Sequence, residues 1–234
     1  MIAQTPPLPV IGWVRSPWTE KFGIPRQSGL TRGLELRIEL DRERIPAEAL
    51  RGLEQVSHIW VLSWFHACVA EGWRPTVRPP RLGGATRLGV FATRSPHRPN
   101  PIGLSLVRLV RVEDRALIVA DLDLLDGTPI LDIKPHVPWA EQPAEARCEW
   151  AAAEPEPLPV RFDPAAAASL AALPEAGARE RAIVETLRWD PRPAHQRRDR
   201  ARRYGLAVAG LEVRFSVDDE GVLVLEVSAS ADAP

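Results

Sequence analysis

Lysine is nearly absent from this 234-residue chain: Lys21 and Lys134 stand alone, and the other 28 of its 30 Lys and Arg side chains are arginine. Cysteine is as scarce. Cys68 and Cys148 lie far apart, with no second cysteine near either. That excludes a disulfide scaffold and a cysteine zinc knuckle, and it suits a reducing cytoplasm; no metal is expected. No apolar run approaches the ~20 residues of a membrane-spanning helix, so no membrane partner is expected. Met1 to Pro9 offers neither a basic nor a long apolar region, and no secretory leader is expected. No G-x-G-x-x-G follows a strand and no G-x-x-x-x-G-K-[ST] occurs. A nucleotide-like ligand must therefore be held by some other device than the common phosphate loops.

Acid is missing from one long stretch. Gly72 through Val112 holds no Asp or Glu, yet carries Arg74, Arg78, Arg81, Arg87, Arg94, Arg98, Arg108 and Arg111. A second cluster, Arg192 to Arg203, sets six arginines against Asp199. Arginine grips phosphate and carboxylate with a two-pronged fork. This clustering, hidden under a net charge of -1, predicts an anion-facing surface and a nucleic-acid partner.

What organises the chain is Thr93-Arg94-Ser95-Pro96-His97-Arg98-Pro99-Asn100-Pro101-Ile102-Gly103-Leu104-Ser105. Three prolines in six residues cannot sit in a helix or a central strand. The segment reads as a stiff loop between two strands, presenting Arg94, His97, Arg98 and Asn100 on a backbone with little freedom left to lose. A preformed site for an anionic or polar ligand has this construction. A proline-rich connector with solvated charges has the same composition.

Alternating Leu34, Leu36, Ile38 and Leu40 predicts a half-buried strand. Pro46 with Leu50, Leu53 and Val56 predicts a short helix. Val56 to His66, Arg87 to Thr93, Leu104 to Arg111 and Ala116 to Leu124 read as further strands. Asp126-Gly127 marks a turn. In the next strand Ile130, Asp132 and Lys134 share one face, by the period of two. Six or seven strands before residue 140, without a βαβ rhythm, predict an antiparallel barrel. The expected organisation is a barrel domain over 1–145, a linker over 146–164, and a small α+β domain over 165–234. The last holds helices at Pro164 to Leu173 and Glu175 to Trp189, then a hairpin of Gly205 to Val217 with Val222 to Ser228.

Four ordered motifs carry a resemblance. They are Ile11-Gly12 with Arg15-Ser16-Pro17; Arg51-Gly52-Leu53-Glu54 with Ser57-His58-Ile59-Trp60; the proline-rich loop; and Asp126-Gly127-Thr128-Pro129 with Asp132-Ile133-Lys134-Pro135. Together with Asp190-Pro191-Arg192-Pro193-Ala194, the chain resembles the TsaA-like family. That resemblance implies a mainly β fold: a small antiparallel barrel that binds S-adenosylmethionine and works as a homodimer. It implies methyl transfer to the exocyclic amine of threonylcarbamoyladenosine beside the anticodon of tRNA. It places the cofactor against Gln27, Ser28, Gly29, Leu30, His66, Ala67, Arg94, Leu104, Leu124, Leu125, Asp126 and Gly127. Arg98, Lys134, Arg192, Arg197 and Arg198 are the expected tRNA contacts. His136 and His195 stand where the family commonly has tyrosine.

Methyl transfer from a sulfonium is an in-line displacement that needs alignment more than covalent help. The expected catalytic set is Arg94, to bind a carboxylate, with Asp126, Asp132 and His136 (and His66 beside them) as candidates to take or orient the amine proton. Two alternatives remain open to the sequence. One is a non-catalytic RNA-binding barrel; the other is a methyltransferase for another RNA or a small molecule.

Overall fold

The computed structural model describes residues 8–79, 82, 86–193, 196–197 and 202–230. Its first part is a closed six-stranded barrel. The strands are β1 (Gly12–Arg15), β2 (Glu35–Leu40), β3 (His58–Trp64), β6 (Ile102–Glu113), β7 (Ala116–Ala120) and β8 (Pro129–Pro135), in the order β1-β2-β7-β6-β3-β8. Every neighbouring pair is antiparallel. Closure follows from alternation. Val14, Ile38, Ile59, Val61, Val107, Val119 and Ile130 are buried, and a sheet with one apolar face removes it from water by curling shut.

Two short strands, β4 (Thr76–Val77) and β5 (Leu88–Gly89), form a separate ribbon. The expected barrel strand Arg87 to Thr93 is therefore only this ribbon edge followed by a 3-10 turn over Val90–Ala92. The expected helix after Pro46 is two 3-10 turns, Ala47–Leu50 and Leu53–Gln55. Gly52, at φ 94, breaks the run between them.

The predicted face of β8 is overturned by a bulge. Leu62 pairs Asp132 while Ser63 pairs Ile130, so Leu131 is the extra residue. A bulge shifts the phase of every later side chain. Ile130 and Ile133 share the faces of buried Ser63 and Val61, and Asp132 and Lys134 turn outward.

A four-stranded sheet, β10-β11-β12-β9, makes up the second part. Its strands are β9 (Val160–Phe162), β10 (Tyr204–Val208), β11 (Leu211–Asp218) and β12 (Gly221–Ala229). The helices α2 (Pro164–Ala171) and α3 (Ala176–Leu187) precede β10, and a short α1 (Pro138–Glu141) follows the barrel. β9 lies within the stretch expected to be linker and pairs in parallel with β12. The expected single strand Gly205 to Val217 is two strands joined at Ala209 (φ 54) and Gly210 (φ 71), the two positive φ values of a type I′ hairpin.

One continuous core joins the parts. Trp18 is its peg: the side chain is fully buried, and its Nε1 donates to Thr186 Oγ1 on α3 at 2.9 Å. A buried indole N–H needs such a partner. Among the described residues no helix is long and apolar enough to cross a membrane.

Candidate functional site

Antiparallel topology sorts the loops. The segments 16–34, 65–101 and 121–128 all leave the same end of the barrel. Between the first two of them lies a cavity of about 800 Å³, inside the range of small-molecule sites. Gln27, Ser28, Gly29 and Leu30 form one wall, Arg94, Ser95 and Pro96 a second, and Arg78 and Pro79 a third. Gly29 sits at φ 91, and a Cβ there would meet nothing within 4 Å, so the backbone is bare toward open space. Such a surface admits close approach of a ligand.

The Gln27–Leu30 loop is tied to the chain behind β7. Gly29 N donates to Asp121 O at 3.1 Å, and Thr31 Oγ1 to Leu122 O at 3.1 Å. Asp123 completes the tie: its carboxylate accepts from Ser105 Oγ on β6 at 2.5 Å and from the backbone N–H of Ser28, with Arg94 in electrostatic range. Burial pushes this carboxyl up to about 6, against the lowering pull of those donors and of Arg94. The pKa is raised above the ordinary 3.8, so its contribution to stability is complete below that value and is lost as pH rises through about 6. The change amounts to at most ~3 kcal/mol. Asp123→Asn removes the ionisable group and keeps an acceptor. We expect denaturant titrations to show the variant gaining on the wild type by about 1–3 kcal/mol between pH 4.5 and 7.5. A constant difference across that range would show that Asp123 does not titrate there.

Two family profiles cover most of the sequence. The tRNA-methyltransferase O N-terminal domain matches residues 13–142, and the TrmO C-terminal domain matches residues 155–230. The chain belongs to the TrmO family. It is 43% identical over 218 residues to a tRNA (adenine(37)-N6)-methyltransferase of Escherichia coli K12, covering 90% of this chain and 93% of that one. It is 46% identical over 210 residues to a Pseudomonas aeruginosa protein named "Putative S-adenosylmethionine-dependent methyltransferase RcsF", covering 88% and 90%. The crystal structure of TrmO from P. aeruginosa superposes with a TM-score of 0.79 at 38% identity, covering 97% of this chain and 99% of that one.

In this TrmO-family chain the expected site residues divide. Gln27, Ser28, Gly29, Leu30 and Arg94 line the cavity. His66 and Ala67 do not; they begin the 3-10 turn His66–Glu71, next to the proline-rich loop. That turn is joined to the loop through Phe65 N to Pro101 O at 2.8 Å and Glu71 to His97 Nε2 at 3.8 Å. Lys21 pairs with Glu71 and reaches Ala67 O. Leu104 stands 48% exposed on β6, and Leu124 is buried in the core.

Asp126 is occupied otherwise than expected. Its Oδ1 accepts from Ser16 N at 2.9 Å and its N donates to Trp18 O, while Gly127 N donates to Val14 O and Thr128 N to Leu125 O. This turn fastens β1 to β8. Asp132 pairs with Lys134 at 2.9 Å on the outer wall of the barrel, both well exposed, so the two form a surface ion pair. His136 follows β8 at the opposite end from the cavity, about 20 Å along seven residues of strand. There it meets the edge of Trp60 and lies 3.7 Å from Glu141. Neither Asp132 nor His136 reaches this cavity within one chain.

Arg98 donates to Thr93 O and Ser95 O at 3.1 and 3.2 Å, bracing the loop from within. Arg192 is 5% exposed and clasped by Asp190 at 2.8 and 3.1 Å; that guanidinium is not offered to phosphate. Arg197 pairs with Asp190 and stays partly exposed. Arg81, Ala194, His195 and Arg198 lie outside the described residues.

Sequence reasoning missed one wall. Cys148 and Trp150 through Pro155 line the cavity, from a stretch whose Ala, Pro and Glu content gave no periodic signal. It also missed Asp123, which reads as the polar beat of an alternating Leu122-Asp123-Leu124.

Proposed function

We propose that the protein transfers a methyl group from S-adenosylmethionine to the exocyclic amine of adenosine 37 of tRNA, and that this base already carries a threonylcarbamoyl group. The observation that carries the reading is the cavity: a bare glycine loop facing arginines, in a chain similar over nearly its whole length to a tRNA (adenine(37)-N6)-methyltransferase. The cofactor fits that donor set. It has a carboxylate for a guanidinium and a flat nucleoside for a side-chain-free backbone. Neither Arg78 nor Arg94 is engaged by a hydrogen bond to another described residue, and both face the cavity. The two carboxylates of this reaction, one on the cofactor and one on the threonyl group, match the guanidinium groups of Arg78 and Arg94.

The cofactor supplies a methyl group already activated on sulfonium. In the transfer an N–C bond would form as the C–S bond breaks, with the electron pair left on sulfur and the nitrogen's proton passing to water, and the Gln27–Leu30 wall with Arg78 and Arg94 would hold the reactants for it. Exclusion of bulk water falls to the wall at Trp150 and the proline-rich loop. Exposed apolar Trp73, Phe91 and Leu104 at the same end of the barrel support a homodimer, and the near-absence of cysteine supports residence in the cytoplasm.

The test is methyl transfer to tRNA with and without the threonylcarbamoyl group, read by nucleoside mass spectrometry. The expected product is a methylated modified base, and none from plain adenosine. Binding of tRNA without methyl transfer would favour the RNA-binding barrel instead.

A further inference from the structure

The sequence singles out Asp190-Pro191-Arg192-Pro193, and the geometry of the clasped Arg192 removes it from the list of phosphate contacts. Its surroundings give it another task. Trp189 Nε1 donates to Leu30 O at 2.9 Å, across 159 residues. Arg26 donates to Pro191 O and Arg192 O at 3.2 and 2.9 Å. All three bonds end on the Arg26–Leu30 wall of the cavity. The turn that offers them is fixed: Asp190 sits at φ 47, its carboxylate holds Arg192, and the Arg192 guanidinium lies 6.0 Å from the Tyr204 ring on β10. Arg188 covers the Trp189 ring at 5.3 Å.

We propose that this turn is a brace that holds the cofactor wall in its binding shape, so that the C-terminal unit sets affinity for the cofactor. The inference rests on the cofactor reading given above. The wall is held from the barrel side at Gly29 and Thr31, and those ties leave Leu30 O to the second part of the chain. A loop held at both ends is pre-organised, and loss of one tie is a cost met again at every binding event. Trp189 is a positioning residue, since it lies outside the cavity lining.

Trp189→Phe keeps an aromatic ring but loses the indole N–H together with the five-membered ring that carries it. One lost hydrogen bond predicts roughly a fivefold rise in the S-adenosylmethionine dissociation constant by calorimetry. Turnover at saturating cofactor stays within about twofold of wild type, and the KM for tRNA is unmoved. Amide hydrogen exchange at Ser28 to Leu30 quickens in the variant while the β3 amides keep their protection. Wild-type protein that binds no S-adenosylmethionine would sink the cofactor reading itself. Wild-type protein that binds it, with a variant of equal affinity and unchanged exchange, overturns the brace. So does a variant that loses affinity for tRNA alone.

Discussion

Arg94→Ala is expected to lower kcat/KM for tRNA methylation by about 100-fold, near 3 kcal/mol. The magnitude follows from the partner. A carboxylate brought into the cavity gives up water, and a guanidinium fork returns two charge-assisted hydrogen bonds. With the fork gone, the carboxylate stays desolvated and unpaired, the costly half of such a deletion at ~2–5 kcal/mol. Arg94 is also the charged group in range of Asp123, so its loss raises the Asp123 pKa further and loosens the hold on Ser28. Arg94→Lys restores charge without the fork and recovers only part of the loss. Separate titrations of cofactor and tRNA assign the effect: a rise in cofactor KM puts the cofactor carboxylate on Arg94, and a rise in tRNA KM puts the threonyl carboxylate there. Wild-type rates in Arg94→Ala would remove it from the site.

Gly12→Ala is expected to be the most damaging single methyl group in the barrel. A Cβ at residue 12 would lie 2.3 Å from Glu39 O and 3.1 Å from Leu40 Cα, all backbone of β2. Neither atom rotates away. β1 has four residues and closes the barrel between β2 and β8, so displacing it exposes the seam. We expect a cost of about 3 kcal/mol or more, which lowers the thermal midpoint by ~6–12 °C for a chain of this size. Gly89→Ala is the control. Its backbone has φ -58 and ψ 142, and its Cβ would meet nothing within 4 Å. It should change stability by about 0.5 kcal/mol or less. Equal effects of the two substitutions would mean that β1 and β2 are not packed as described.

The barrel was legible because its strands alternate cleanly, and alternation reports a curled, half-buried sheet without reference to partners. What was illegible depended on contacts between distant residues. The bulge at Leu131 leaves only a faint local trace, the apolar pair Ile130-Leu131 ahead of the alternating Asp132, Ile133 and Lys134, and it is the pairing with Leu62 and Ser63 that shows the change of phase. The hairpin at Ala209-Gly210 lacks the Asn or Asp that advertises a type I′ turn. The proline-rich loop was legible as a stiff element, and its Arg94 faces the cavity. Arg98, from the same loop, turns back to bond its carbonyls. Composition treats those two arginines alike, and topology separates them. Asp132 and His136 have the chemical type for proton transfer; the antiparallel path of β8 puts one on the outer wall and the other at the end opposite the cavity.

The most direct measurement is a crystal structure of the protein with S-adenosylmethionine. The expected density fills the cavity between Gly29 and Arg94, with the guanidinium on a carboxylate and the sulfonium methyl group facing open space wide enough for a base. A cofactor bound elsewhere on the barrel, with Arg94 turned to solvent and the Gln27–Leu30 wall untouched, would contradict the account.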